Sequence, residues 1–252
     1  MAAVGSNRSS TAGKVVVVGK NPCSKFALDF CTELTRELRP IVFITPPIEA
    51  VRERVSQATL LDDVIWQSLQ ADSDDIEAQI RSLGNDDGGI RAFVYLGEEI
   101  PATSLETTDK TQWNSLLNSI QIMFAYYRAT ARVMARAKAG SMVGVDFGVN
   151  ARGEANLLTW SVLGDALVGL SKCVALELLP QGVRVNTVGY GYMSGVAYPE
   201  SSMPVMQQYF EYLGVPRHGT ARDVCNLVRL LVSEEGSYIT GQSLFVNGGL
   251  LM

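Results

Sequence analysis

Short unbroken apolar runs alternate along this chain with longer segments of helical period. KVVVVG (14–19), IVFIT (41–45) and IRAFVYLG (90–97) are rich in β-branched and aromatic residues and too short for helices. Each therefore predicts a strand buried on both faces. A weaker third strand is expected at 64–69, SMVGVDFG predicts a fifth, VRVNTVGYG a sixth and SLFVNGG the last. Helices are expected from the first strand to about Arg39, around 49–57, near 74–83, and over 111–138, 157–179, 198–213 and 221–233. Alternation of this kind predicts an α/β fold, a doubly wound parallel sheet of about seven strands in a single domain. Residues 1–12, MAAVGSNRSSTA, show no apolar periodicity and are expected to form a flexible leader to a domain spanning 13–252.

The stretch from 157 to 191 organises the rest. Leu158, Val162, Ala166, Gly169, Leu170, Val174, Leu176 and Leu178 recur at helical spacing, and Pro180 with Gly182 ends the run. The strand that follows opens into Tyr190-Gly191. A buried strand whose carboxyl end meets a glycine loop is how open α/β sheets place a ligand crevice.

Composition narrows the class. The 252 residues are 47% hydrophobic and 19% charged, as in globular chains. A net charge of −5 argues against nucleic acid as the main partner. The four cysteines, Cys23, Cys31, Cys173 and Cys225, lack paired spacing, which suits reduced thiols in a cytoplasmic protein. His218 is the single histidine, so no metal site is expected. No apolar run reaches membrane-spanning length, and residues 1–12 lack a signal-peptide core.

LVGLSKCVALELLPQGVRVN resembles the helix-and-strand segment of short-chain dehydrogenases/reductases, and GSYITGQSLFVNGG is similar to that family's ending. The resemblance implies a Rossmann-like fold. Registered on Gly169, Glu177, Gly182 and Asn186, the family tyrosine falls on Trp160 and the family lysine on Gly164. The family asparagine falls on Ile120, and the serine on Phe147 or its neighbour Asp146. In that family serine and tyrosine polarise a carbonyl, while lysine lowers the tyrosine pKa. Ordinary carbonyl reduction by that route is not expected here.

The same resemblance locates a cofactor crevice at Gly19, Lys20, Asn21, Thr45, Gly97, Tyr190 and Gly191. The later glycines of the family phosphate loop fall on Cys23 and Lys25. Asn21-Pro22 reads as a helix start, an N-cap followed by proline, which would preserve an anion site beside Lys20. A reshaped dinucleotide site and a sealed loop both remain open. Thr45 at the end of the second strand, in place of a carboxylate, favours NADP(H) over NAD(H).

Asp165 sits mid-helix among apolar and small residues, where a carboxylate needs a cation or water. Arg128, Arg132 and Arg136, at four-residue spacing on the preceding helix, are candidates to supply that cation. One alternative is a structural ion pair. The other is a catalytic group, with Trp160 and Arg132, that stabilises a cationic substrate. Hydride transfer to an iminium needs no proton donor. The missing residues also resemble the pattern of divergent, NADPH-dependent reductases that act as Diels–Alderases in fungal bridged indole alkaloid pathways. Two functions stay open. The first is reduction or cyclisation of a hydrophobic, cationic small molecule in an apolar pocket. The second is a non-catalytic scaffold on a reductase fold. The broad apolar faces of the helices at 111–138 and 157–179 predict a homodimer or homotetramer.

Overall fold

Seven strands make one sheet: β1 (Lys14–Gly19), β2 (Ile41–Thr45), β3 (Val64–Ser68), β4 (Ile90–Leu96), β5 (Gly140–Phe147), β6 (Val183–Tyr190) and β7 (Ser243–Val246). They lie in the order β3-β2-β1-β4-β5-β6-β7, and every neighbouring pair is parallel. This computed structural model describes residues 13–19, 24–36, 38, 40–45, 64–68, 73–85, 88–97, 100–198, 200, 203–212, 215 and 217–250. The expected leader at 1–12 and the expected helix around 49–57 lie outside them.

Parallel strands need long crossovers, and helices supply them here. They are α1 (Lys25–Thr35), α2 (Ser73–Asn85), α3 (Lys110–Ala137), α4 (Leu158–Leu178), α5 (Met203–Tyr212) and α6 (Ala221–Val232). Central β1 shows why both faces must be covered. Val15 and Val17 join one apolar cluster with Phe30 of α1 and Val228 of α6, while Val16 and Val18 join another with Ile76 of α2 and Met123 of α3. All four valines are buried, so a period of two feeds two cores at once.

Local chemistry sets the helix ends. Asp109 caps α3 by accepting from the Gln112 amide at 2.8 Å, and the Gln112 side chain accepts from the Asp109 amide at 2.9 Å. The expected start of the first helix at Asn21-Pro22 is corrected: Ser24 is the cap, its Oγ accepting from the Ala27 amide at 3.1 Å. A serine two residues past the proline satisfies the same orphan donors, and the helix begins at Lys25.

Two sets of polar bonds lock the far half of the sheet. Buried Asn186 donates to the Ile239 carbonyl at 2.9 Å and accepts from the Gln242 amide at 3.0 Å, stitching the ITGQ segment onto β6. Tyr127 of α3 meets Ser171 of α4 at 3.1 Å above β5. Tyr127→Phe removes this bond while leaving the ring in place. It should cost about 1 kcal/mol and lower the melting temperature by about 2–4 °C, read by thermal unfolding. An unchanged melting temperature would show that the hydroxyl pair contributes nothing net.

Candidate active site

Because all the strands are parallel, their carboxyl ends share one edge of the sheet. β1 and β4 are neighbours whose chains leave in opposite directions, which opens a crevice between them. Gly19 ends β1 directly beside Leu96, the last residue of β4. Gly97 follows and donates its amide to the Val145 carbonyl at 2.7 Å. The next chain segment is strapped down by the first turn of α4. There the Leu158 amide donates to the Thr103 carbonyl at 2.9 Å, Thr159 Oγ1 donates to the Pro101 carbonyl at 2.8 Å, and Trp160 Nε1 donates to the Ile100 carbonyl.

An aromatic cluster occupies the same edge. Phe147, at the end of β5, lies edge-to-face with Trp160 at 5.5 Å and within 5.4–5.8 Å of the rings of Tyr190, Tyr192 and Tyr198. Tyr190 in turn contacts Phe26 of α1 at 5.0 Å. Phe147, Trp160, Tyr190 and Tyr192 are all buried. Such a stack excludes water and presents ring faces and edges. Beneath it, Glu154 pairs with Arg152 and accepts from Tyr192 Oη at 3.0 and 3.2 Å. A charged pair thus holds one ring in place.

Asp146, which the sequence places at or beside the family serine position, is the charged member. It is the penultimate residue of β5, and its carboxyl is wedged between two glycines. A Cβ on Gly97 would stand 2.5 Å from Oδ1, and one on Gly164 would stand 2.7 Å from Oδ2. Oδ2 is sealed from solvent and has no hydrogen-bond partner among the described residues, while the residue as a whole keeps some exposure. Loss of solvation pushes its pKa from 3.8 up to about 7, opposed by the Phe147 backbone amide.

The structure gathers Gly19, Gly97, Trp160 and Tyr190 at this edge. Gly191 joins them, donating its amide to the Val246 carbonyl at 3.0 Å, with its open face against Asn247. Thr45 ends β2, paired with Ser68 of β3. Lys20 and Asn21 lie outside the described residues. The expected contact between Asp165 and an arginine of α3 is corrected. Asp165 is exposed and accepts from Asn150 Nδ2 at 3.1 Å. Arg132 instead reaches Glu77 of α2 at 2.7 Å, and Arg128 reaches the same carboxylate at 3.7 Å. α3 turns Arg128 and Arg132 toward α2, while its other side packs on the sheet and α4. Arg132 therefore stands apart from the crevice.

Other features of the described residues do not compete with this edge. A groove of about 1210 Å³ lies at the amino-terminal edge, but Arg91 and Arg184 on its walls are committed to backbone carbonyls. No group of three His, Cys, Asp or Glu residues among the described residues is placed to hold a metal. No described helix is long and apolar enough to cross a membrane. Asp146 had a signal in the sequence, a lone charge at the end of SMVGVDFG, but its glycine neighbours come from distant segments.

A parallel sheet in this order, with glycines where β1 and β4 part, defines an oxidoreductase fold of the dinucleotide-binding type. The chain belongs to the short-chain dehydrogenase/reductase family: the family model described as enoyl-(acyl carrier protein) reductase matches residues 53–251. Among curated relatives, the 3-oxoacyl-(acyl-carrier-protein) reductase FabG of Staphylococcus aureus is 26% identical over 205 residues, 81% of this chain and 83% of its own. The protein of the same name from Buchnera aphidicola is 31% identical over 145 residues, 57% of this chain and 59% of its own. A short-chain type dehydrogenase/reductase from Mycobacterium ulcerans superposes with a TM-score of 0.81 at 20% identity, covering 94% of this chain and 89% of that one. That likeness speaks to the fold.

The Asp146 carboxyl gives a test by pH. Folded, it holds its proton to about pH 7; unfolded, it ionises near 3.8. Between those values the folded state binds more protons, so stability falls as pH rises and then levels off above about 7. Asp146→Asn should abolish this slope. Above pH 7 the variant should be more stable by on the order of 2–4 kcal/mol, read from urea unfolding across the range. Parallel stability curves for the two proteins would contradict the buried, unpaired state of this carboxyl.

Proposed function

We propose that this protein is an NADP(H)-dependent reductase that delivers hydride to an iminium-type or conjugated cationic carbon, without tyrosine–lysine acid–base chemistry. The observation that carries the reading is Trp160. It stands where the family resemblance puts the tyrosine, its indole N–H is spent on the Ile100 carbonyl, and its ring is packed on Phe147. Phe147 or its neighbour Asp146 stands at the family serine position, Gly164 at the lysine and Ile120 at the asparagine, and Asp146 keeps its carboxyl wedged between Gly97 and Gly164. Trp160, Phe147, Gly164 and Ile120 offer no titratable proton. A neutral carbonyl that gains negative charge on reduction would find no donor among them, whereas an iminium arrives already charged.

NADPH, when bound, supplies the hydride. The crevice between β1 and β4, with Gly19 at its lip and an unpartnered buried carboxyl oxygen close by, fits a dinucleotide with hydroxyl groups to satisfy. Thr45 at the end of β2 and the FabG relatives, which are reductases by name, support NADP(H) and the reductive direction. Phe147, Trp160 and Tyr190 keep water from the reacting carbon and favour a delocalised cation by ring electrostatics. Any cyclisation of the reduced product would follow in the same apolar surroundings. Asp165 and Arg132 receive no catalytic role within a single chain. The exposed Trp113, Leu117 and Phe124 of α3, with Leu176 of α4, support assembly into a homodimer or homotetramer.

The test uses purified protein, NADPH and a permanent iminium, N-methyl-dihydroisoquinolinium, beside the neutral ketone tetralone. NADPH should bind more tightly than NADH, and the iminium should consume NADPH while turnover of the ketone stays roughly a hundredfold or more lower. Comparable ketone reduction would overturn the substrate reading. Failure to bind NADPH at all would point instead to a scaffold.

A further inference from the structure

A remote chain segment reaches the amino terminus of α1. A helix start presents backbone amides to an anion, and in sheets of this order the first such start faces the cofactor's phosphates. In α1 two of those amides already have acceptors. The Ala27 amide donates to Ser24 Oγ at 3.1 Å, and the Phe26 amide donates to the carbonyl of Gly195 at 3.3 Å. Gly195 lies in the segment leaving β6, so a carbonyl from the other half of the sheet stands where an anion would. Only glycine makes so close an approach. A Cβ at 195 would stand 3.0 Å from the Phe26 nitrogen and 3.3 Å from side-chain carbons of Lys25, and the φ of +87° belongs to the left-handed region.

The flanks of this turn are tied down. Ser194 donates its amide to the Gly219 carbonyl at 2.8 Å, and the Gly219 amide donates to the Tyr192 carbonyl at 2.9 Å. Tyr198 Oη accepts from the Met193 amide at 2.8 Å and donates to the Gly191 carbonyl at 3.3 Å, while its ring packs on Phe147 and Trp160. The tip between these anchors is glycine, the residue least restricted in φ and ψ. Turning over the peptide between Gly195 and Val196 leaves the anchors in place. It withdraws a carbonyl from Phe26 and presents the Val196 amide, a donor in place of an acceptor.

We propose that the Gly195 carbonyl is an autoinhibitory contact: it holds the anion-binding end of α1 closed, and the cofactor's pyrophosphate opens it by turning the Gly195–Val196 peptide over. This rests on the NADP(H) reading above. An anion is repelled by the carbonyl and attracted by the amide, so the ligand distinguishes the two states, as any population shift requires. Its affinity is scaled down by the fraction of molecules in which the carbonyl is withdrawn. One backbone hydrogen bond sets that fraction at about one in ten.

Calorimetric titration of the full chain with NADPH and with adenosine 2′-monophosphate tests this. The second ligand has no pyrophosphate and needs no donor from α1. Gly195→Ala sets a Cβ against Phe26 and pushes the turn off α1, and Tyr198→Phe removes the bonds that steady it. NADPH should bind both variants about threefold to tenfold more tightly, with adenosine 2′-monophosphate unchanged, which also shows that the variants are folded. In the unliganded Gly195→Ala protein the Phe26 amide should exchange hydrogen faster by a similar factor, while the Leu28 amide, bonded to the Ser24 carbonyl, is unaffected. A glycine needed only for folding gives the opposite sign. Weaker or unchanged NADPH binding in both variants, or a Phe26 amide that exchanges no faster, therefore overturns the autoinhibitory role and leaves the cofactor reading standing. If neither the unaltered protein nor the variants bind NADPH, the cofactor reading falls and this inference with it. Binding by the variants but not by the unaltered protein supports both.

Discussion

Parallel pairing of all seven strands is the constraint on which the rest of this structure depends. A parallel ladder satisfies its own backbone groups only when each strand returns through a crossover, and the crossovers cover both faces. The valines of β1 serve two cores for that reason, and α1, α2, α3, α4 and α6 are held against the sheet by apolar contact. The same pairing sends every carboxyl end to one edge. Whatever chemistry this chain performs is placed there by the sheet before any side chain is considered.

At that edge, apolar and polar requirements have been resolved in an uncommon way. Phe147, Trp160, Tyr190 and Tyr192 fill the space above β5 and β6, and their few polar atoms have fixed protein partners: the Ile100 carbonyl for Trp160 and Glu154 for Tyr192. Glu154 is itself anchored by Arg152. Asp146 Oδ2 lacks a hydrogen-bond partner among the described residues, as does Asn247 Nδ2 beside Gly191. Burial without a partner is tolerated when a site is completed by something the protein binds. Glu154, by contrast, is taken up by Arg152 and Tyr192.

Much of this was legible in the sequence, because strand and helix periods are local properties. The runs at 14–19 and 41–45 became β1 and β2 with the same limits, and the other described elements start or stop within a few residues of expectation, save the early end of α1 and the late start of α5. Asn186 and the ITGQ segment, read from the sequence only as separate likenesses to one family, are joined by hydrogen bonds between β6 and the segment leading into β7. Side-chain partnerships between helices were less legible. Asp165 and Arg132 face outward along different lines: which side of α3 meets α4 depends on how both helices dock on the sheet, and spacing within one helix does not contain that information. The helix start misplaced at Asn21-Pro22 has a similar origin, because Ser24 competes for the same cap.

The sequence by itself determined the parallel α/β architecture and which residues end each strand, since these are matters of pattern and residue identity. Only the tertiary structure decided which of those residues touch. It paired Arg132 with Glu77, set Trp160 edge-to-face with Phe147, and brought Gly97 and Gly164, far apart in the chain, to either side of the Asp146 carboxyl. The physical reason is that burial and solvation depend on neighbours from remote segments. Burial raises the pKa of a carboxyl only once those segments have closed around it.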